Sequence, residues 1–363
     1  MSGKVFNFGA GPAMLPEPVM QKVHEEWFNF QGLGVSVIEV SHRAKQFEEV
    51  LNKAQERFRQ LTGLPDNYKI LFVHGGARMQ FAALPLNLAA RSASKKCLYV
   101  ESGNFAKLAH KDAKPFGDIR VIASSAESNY DHIPTITPDM VDQDAAYLHI
   151  TGNNTLYGSR WQKCPETGNV PLVVDQTSEM LSRVIDFSKL GCAYAGLQKN
   201  LGPSGTAIVV IREDLLEYAS PQTPTLLNYK VCAADNSLTN TANTFAIYVT
   251  GLVLEWMQEQ GGIAAIEKRN EQKAKILYDL IDGGDYYRGV IKSEFRGTMN
   301  VSFNLASEEL EAKFLKEAGA LGLYALKGHR SVGGIRASIY NAMPMAGVEK
   351  LADFMKEFEK KNG

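Results

Sequence analysis

The sequence predicts an α/β protein: a large domain built on a mostly parallel seven-stranded sheet covered by helices, followed by a smaller α+β domain. Two observations carry this. From Pro16 to about Ile266, short apolar runs of strand length alternate with periodic runs of helix length, the pattern of βα units whose helices cover both faces of one sheet. Beyond that point two strand-like and two helix-like segments form a compact unit of about 95 residues, within the usual range for a domain.

The elements follow in order. Phe8-Gly9-Ala10-Gly11-Pro12-Ala13 is a Gly/Pro segment that predicts an irregular loop. Strands are expected at Lys69–Val73, Cys97–Val100, Ile119–Ile122, Ala146–Ile150, Leu172–Val174, Tyr194–Leu197 and Ala207–Ile211, with helices over Met79–Ala90 and Phe105–Lys114. A helix over Thr244–Glu259 stops at Gly261-Gly262, and a second, Ala264–Ile281, is long enough to bridge to the smaller domain. Strands at Thr298–Phe303 and Gly334–Tyr340 then alternate with helices at Glu308–Ala318 and Gly347–Lys360. The boundary is placed near 267, giving a large domain of 16–267 and a small domain of 268–363 joined by 1–15.

Composition narrows the class of function. The chain has 363 residues, 45% hydrophobic and 22% charged, with a formal charge of -1, so no global basic field steers it to nucleic acid or to an anionic membrane. Cys97, Cys164, Cys192 and Cys232 are scattered without metal-ligand spacing, so no metal is expected. Cys192 falls in an apolar strand, where a buried inert thiol is expected. The N-terminus lacks an apolar signal core and no run approaches membrane-spanning length, which makes the cytoplasm the expected location.

The richest segment is Tyr194-Ala195-Gly196-Leu197-Gln198-Lys199-Asn200-Leu201-Gly202-Pro203-Ser204-Gly205. It puts a lysine at the end of a small-residue strand, just before a turn. Asp175 closes the preceding apolar strand, Val170–Val174. A lysine amine can form a Schiff base with an aldehyde cofactor, and an aspartate can hold the protonated ring nitrogen of pyridoxal 5'-phosphate. Successive parallel strands would bring both to one sheet edge, where ligands of α/β proteins bind. These two residues are the expected catalytic pair.

Other candidates surround them. His74-Gly75-Gly76-Ala77-Arg78 lies between a strand and a helix, either as an ordinary tight turn or as an anion cradle of helix-terminal amides. Two His-Arg pairs, His42-Arg43 and His329-Arg330, together with Arg336, suit either surface solvation or recognition of a carboxylate and a second strong anion. Phe105 is a stacking candidate or a core aromatic. Thr155 is a cofactor hydrogen-bonding group or the stabiliser of its own turn. Asn240 and Thr241 lie in a polar run that reads locally as a loop.

The motifs FGAGPA, SHR at 41–43, GGAR at 75–78, NNTLYG at 153–158, VDQTSEMLSR at 174–183, AGLQKNLGPSG at 195–205, NT at 240–241 and GHRSVGGIRASIYNA at 328–342 span nearly the whole chain. In this order and combination the sequence closely resembles the phosphoserine aminotransferase family, class V aminotransferases of the fold-type I pyridoxal-phosphate enzymes. The resemblance implies that Lys199 is the Schiff-base lysine and Asp175 the partner of the pyridine nitrogen. By the same resemblance Ala77, Arg78, Thr155 and Gln198 contact the cofactor, and Asn240 and Thr241 reach the cofactor phosphate of the neighbouring subunit of a homodimer. Arg336 resembles the α-carboxylate anchor, while His42, Arg43, His329 and Arg330 resemble a substrate-phosphate cluster partly supplied across the dimer interface. The family carries a tryptophan where this chain has Phe105, which keeps a stacking face but lacks the indole donor.

The implied reaction is ping-pong transfer of the amino group between L-glutamate and 3-phosphohydroxypyruvate, giving O-phospho-L-serine and 2-oxoglutarate in L-serine biosynthesis. The related substrate 4-phosphohydroxythreonine, from pyridoxine biosynthesis, belongs to the same chemistry. A serine- or alanine-glyoxylate type aminotransferase is the nearest alternative, and the paired His-Arg segments argue against it. A nucleotide-binding dehydrogenase lacks its early G-x-G-x-x-G signature here.

Overall fold

The computed structural model describes residues 5–330 and 332–363. After a two-residue strand β1 (Phe6–Asn7) come helices α1 (Glu17–Glu25) and α2 (Lys45–Thr62). The α2 face carrying Phe47, Leu51, Ala54 and Phe58 is buried, a spacing of one helical stripe. Gly63 ends that helix in the left-handed region, φ 61°. The sequence reading named neither helix, although the stripe was present in it.

The main sheet is built from β2 (Tyr68–His74), β3 (Lys96–Glu101), β4 (Asp118–Ser124), β5 (Leu148–Thr151), β8 (Leu172–Asp175), β9 (Cys192–Gly196) and β10 (Thr206–Arg212). Their spatial order is β2-β10-β9-β8-β5-β3-β4. Six of the seven strands run in one direction, and β10 alone is reversed, antiparallel to both β9 and β2. Apolar periodicity marks a strand but carries no direction, so this reversal was not legible locally. Between β5 and β8 a small hairpin pairs β6 (Asn153–Asn154) with β7 (Ser159–Arg160). This was likewise not foreseen, because two-residue strands carry no periodicity.

Helices cover both faces, as expected. One apolar core joins α2 and α6 (Thr244–Glu259) to one face through Phe58, Ile70, Val174, Ala195 and Leu254. Opposite it, α3 (Ala77–Leu88), α4 (Asn104–Ala113) and α5 (Tyr229–Ala234) pack through Phe81, Ala109 and Tyr229 on Tyr99, Val173, Cys192 and Tyr194. Cys192 is fully buried there, as its strand position predicts.

Helix α7 (Gly262–Asp282) links two cores: Ile263 and Ile266 belong to the first, and Ala274, Leu277 and Ile281 to another. That other core holds β11 (Arg288–Gly289), β12 (Asn300–Asn304) and β14 (Ile335–Ser338) in a three-stranded antiparallel sheet, with α8 (Glu308–Ala320) and α9 (Met345–Asn362). β1 adds to it by pairing with β13 (Leu323–Tyr324), so the Phe6–Asn7 strand packs with the C-terminal portion. Gly158, at φ +91°, lets the β6–β7 hairpin meet β12: a Cβ there would lie 2.3 Å from the Asn300 carbonyl oxygen.

Candidate active site

The parallel strands end on a common edge, and a cavity of about 360 Å³ opens there. Asp175 closes β8, and its Cα partner on β9 is Tyr194. Two residues beyond Tyr194, β9 ends at Gly196. The chain then turns sharply, with Leu201 N and Gly202 N donating to Leu197 O at 3.2 and 2.8 Å. That turn carries Lys199 to the cavity beside Asp175. The expectation that adjacent parallel strands deliver this pair to one edge is met, and β10 then leaves antiparallel.

Burial sets the charges. Asp175 is 5% exposed and Lys199 7%. Loss of solvation pushes the Asp175 carboxyl above the usual range, while hydrogen bonds from Thr177 and the charge of Lys199 oppose that rise. One of these bonds is Thr177 N donating to Asp175 Oδ1 at 2.9 Å. Desolvation brings the Lys199 ammonium down to about 8, against the pull of Asp175 and with the push of Arg336. Lys199 Nζ donates to Thr155 Oγ1 at 2.6 Å and lies 5.7 Å from the centroid of Phe105. An amine with a pKa near 8 is available near neutrality both as a nucleophile and as a proton carrier.

Each wall has a separate origin. Thr155 sits at the tip of the β6–β7 hairpin, which Asn153 anchors by donating to Ser178 Oγ at 2.8 Å and to Asn300 Oδ1 at 2.9 Å. Phe105 comes from the first turn of α4, and Ala77 and Arg78 from the first turn of α3, whose N-terminus has no side-chain cap. Uncapped first-turn amides bordering a cavity are ready to bind an anion. The Arg78 guanidinium itself pairs with Asp112 at 3.0 Å and is 61% exposed. Gly11, at φ +135°, brings the N-terminal loop against Gln198 and Lys199, where a Cβ would sit 3.4 Å from each side chain.

The far side is cationic. Arg336 lies on β14 and reaches the cavity with His329. It is 9% exposed, and its Nε and Nη1 are buried without a hydrogen-bond partner among the described residues. A buried guanidinium in that state is poised for an anion. Burial, with the charges of Arg336 and Arg330, lowers the His329 pKa.

One chain therefore gathers Ala77, Arg78, Phe105, Thr155, Asp175, Gln198, Lys199, His329 and Arg336 around one cavity. His42, Arg43, Arg330, Asn240 and Thr241 do not line it. Arg43, Arg330 and Thr241 are exposed, and His42 and Asn240 half-buried. Thr244 Oγ1, at the start of α6, donates to Val37 O at 3.2 Å and so ties that helix's first turn to the segment before α2. The sequence reading missed Thr177, which caps the Asp175 carboxylate. The Asp-x-Thr spacing at the end of a strand is an Asx-turn signal that could have revealed it.

Comparison with known proteins agrees with this geometry. The family model of the class-V aminotransferases matches residues 5–351. The phosphoserine aminotransferase of Lysinibacillus sphaericus is 48% identical over 363 residues, covering 100% of both chains. The solved phosphoserine aminotransferase of Bacillus circulans subsp. alkalophilus superposes with a TM-score of 0.96 at 44% identity over 100% of both chains. A solved phosphoserine aminotransferase described for radiation damage of its Schiff base has a TM-score of 0.95 at 43% identity, over 99% of each chain. With the family model matching nearly the whole chain, and lysine and aspartate meeting at the sheet edge, the chain belongs to the class-V aminotransferase family.

Proposed function

We propose that the protein is a pyridoxal-phosphate-dependent phosphoserine aminotransferase, exchanging an amino group between L-glutamate and 3-phosphohydroxypyruvate to give O-phospho-L-serine and 2-oxoglutarate. The observation that carries the reading is that Lys199 and Asp175 face one cavity whose opposite side holds His329 and the Arg336 guanidinium, whose buried Nε and Nη1 have no hydrogen-bond partner among the described residues. Close relatives of that name along the whole chain support it.

The residues present fit the cofactor. The bare first turn of α3 suits its phosphate, the buried Asp175 carboxylate its ring nitrogen, Phe105 its ring face and Lys199 its carbonyl carbon. When bound, pyridoxal phosphate supplies the carbon that receives the amino group and a ring that accepts electrons released at the substrate's Cα. Lys199, with its lowered pKa, takes the proton from substrate Cα and returns it during transfer. Asp175 stays anionic beside the ring nitrogen, held by Thr177. Thr155 orients the lysine amine. Arg336 binds the substrate carboxylate through two nitrogens, and one substrate after the other uses the same groups.

The remaining roles belong to the same proposal. His329, Arg330, His42 and Arg43 bind the substrate phosphate, with Asn240 and Thr241 serving the cofactor phosphate of a second subunit. That five of these residues lie outside the cavity of one chain, three of them exposed, supports a homodimer with shared sites. The division into 16–267 and 1–15 with 268–363 is supported by the handover between cores along α7. No helix among the described residues is long and apolar enough to cross a membrane, and cytoplasmic action completes the reading.

The test is the visible absorbance of the protein supplied with pyridoxal phosphate, before and after O-phosphoserine, with serine as control. A band that phosphoserine removes and serine leaves supports both the cofactor and the phosphate pocket. Equal loss with both amino acids moves the substrate to another class-V aminotransferase, and absence of any band removes Lys199 from its role.

A further inference from the structure

The two longer strands of the small sheet have one apolar and one polar face. On β12 and β14, Val301, Phe303, Ile335 and Ala337 belong to the C-terminal apolar core. The alternate positions, Asn300, Ser302, Arg336 and Ser338, are polar and nonetheless buried. The register pairs Asn300 with Ser338 and Ser302 with Arg336, so these four side chains share one face. Arg336 lines the cavity, which turns that face toward the site.

The β6–β7 hairpin that carries Thr155 is seated on the same face. Asn153 Nδ2 donates to Asn300 Oδ1 at 2.9 Å, and Ser302 Oγ donates to the carbonyl of Leu156, next to Thr155, at 3.3 Å. Asn300 is fully buried, and its amide is engaged on both sides. While its oxygen accepts from Asn153, its Nδ2 donates to Ser338 Oγ at 2.9 Å and to Tyr340 Oη at 3.2 Å. Tyr340 Oη gives its one proton to Ala10 O at 2.9 Å. A carbonyl only accepts, so the phenol oxygen takes its hydrogen from Asn300. Ala10 itself lines the cavity. One side chain thus joins three walls of the site: the hairpin of Thr155, the strand of Arg336 and the N-terminal loop. An amide supplies the acceptor and both donors at once; a carboxylate lacks the donors, and an apolar side chain lacks all three.

We propose that Asn300 is a positioning residue: it holds the β6–β7 hairpin against the strand bearing Arg336, and thereby sets both the Thr155–Lys199 hydrogen bond and the separation of Lys199 from the carboxylate anchor. This rests on the roles given to Lys199 and Arg336 above. Without the amide, Asn153 loses a buried acceptor and Tyr340 its donor, so the hairpin is free to shift. Thr155 Oγ1 then withdraws from the amine, and a hydrogen bond weakens steeply with distance and misalignment.

The test uses the full-length chain. In the cofactor-free protein, the pH dependence of Lys199 acetylation by acetic anhydride, followed on the peptide that contains it, reads the pKa of the amine. Asn300→Ala should lower the midpoint below that of wild type, the direction expected when the Thr155 acceptor is lost. Adding Thr155→Val should move it no further, because both substitutions remove the same bond. With pyridoxal phosphate and substrates supplied, kcat should fall about tenfold, the lower end for a hydrogen bond to a charged group, and KM for phosphoserine should rise. If Asn300→Ala does not fold, Ser302→Ala, which deletes only the donor to Leu156, decides by the same profile. A lower Tm with an unchanged Lys199 profile, or shifts from Asn300→Ala and Thr155→Val that simply add, would reduce Asn300 to part of a structural seam and overturn the proposal. Failure of the wild-type protein to bind pyridoxal phosphate would instead overturn the cofactor reading, while the lysine profile of the cofactor-free chain would still decide the role of Asn300.

Discussion

Lys199 Nζ donates to Thr155 Oγ1 at 2.6 Å, a contact that closes the site between the turn after β9 and the tip of the β6–β7 hairpin. The hydroxyl accepts from the charged amine, so it works against the desolvation that lowers the lysine to about 8. Replacing Thr155 with Val keeps the shape and removes the acceptor. The Lys199 pKa in the cofactor-free protein should then fall further, read from the pH dependence of its modification rate by an amine reagent. An unchanged profile would detach Thr155 from the lysine.

Lys199→Ala removes the proton carrier. The kcat should drop at least about 10²–10⁴-fold, the usual contribution of positioned proton transfer, while the protein still folds. Steady-state turnover of phosphoserine with 2-oxoglutarate measures this, and near-normal activity would contradict the assignment.

Stability of the cofactor-free chain should depend on Lys199 with a definite sign. Its folded pKa is depressed, to about 8 from the ordinary 10.5, so between those values the unfolded chain binds the extra proton and stability rises with pH. Lys273, buried and lowered to about 7 by desolvation, contributes in the same direction from lower pH. Thermal melts of the wild-type apoprotein should show Tm rising across pH 8–10, and Lys199→Met should flatten, but not abolish, that rise. A slope equal to wild type would mean that the amine is not desolvated.

Arg336→Lys keeps the charge and loses the two-pronged contact. KM for both amino and keto acids should rise by about tenfold or more, the value of a charge-assisted hydrogen bond, with a smaller change in kcat. A change confined to phosphorylated substrates would reassign Arg336 from the carboxylate to the phosphate. In the wild type, phosphoserine should exceed serine in kcat/KM by about 10⁴, because serine leaves the phosphate-binding cations unpaired.

Shared sites make a prediction about mixtures. Arg43→Ala and Lys199→Ala proteins, each inactive alone, should regain roughly a quarter of wild-type activity after refolding together. Half the dimers are then mixed, and each mixed dimer has one intact site of two. No recovery would place Arg43 in the same chain's site, or outside it.

Much of the fold could be read before any coordinates. Apolar runs such as Leu172–Val174 and Ala207–Ile211 announced the strands, and the small-residue strand ending at Lys199 pointed to the site, because side-chain periodicity and turn chemistry are local properties of the chain. What local chemistry does not encode is direction and company. The reversal of β10, the β6–β7 hairpin that delivers Thr155 and the pairing of β1 with β13 depend on contacts between distant segments. The hold of Thr177 on Asp175 is a local turn written in the Asp-x-Thr spacing, whereas Tyr194 becomes a neighbour of Asp175 only once β8 and β9 are paired. The sequence by itself determined which groups were available: a lysine, an aspartate and an arginine with the right chemistry. Tertiary structure alone decided that they lose their water together, and it is that shared desolvation that lowers the amine, strains the carboxylate and leaves the guanidinium waiting for an anion.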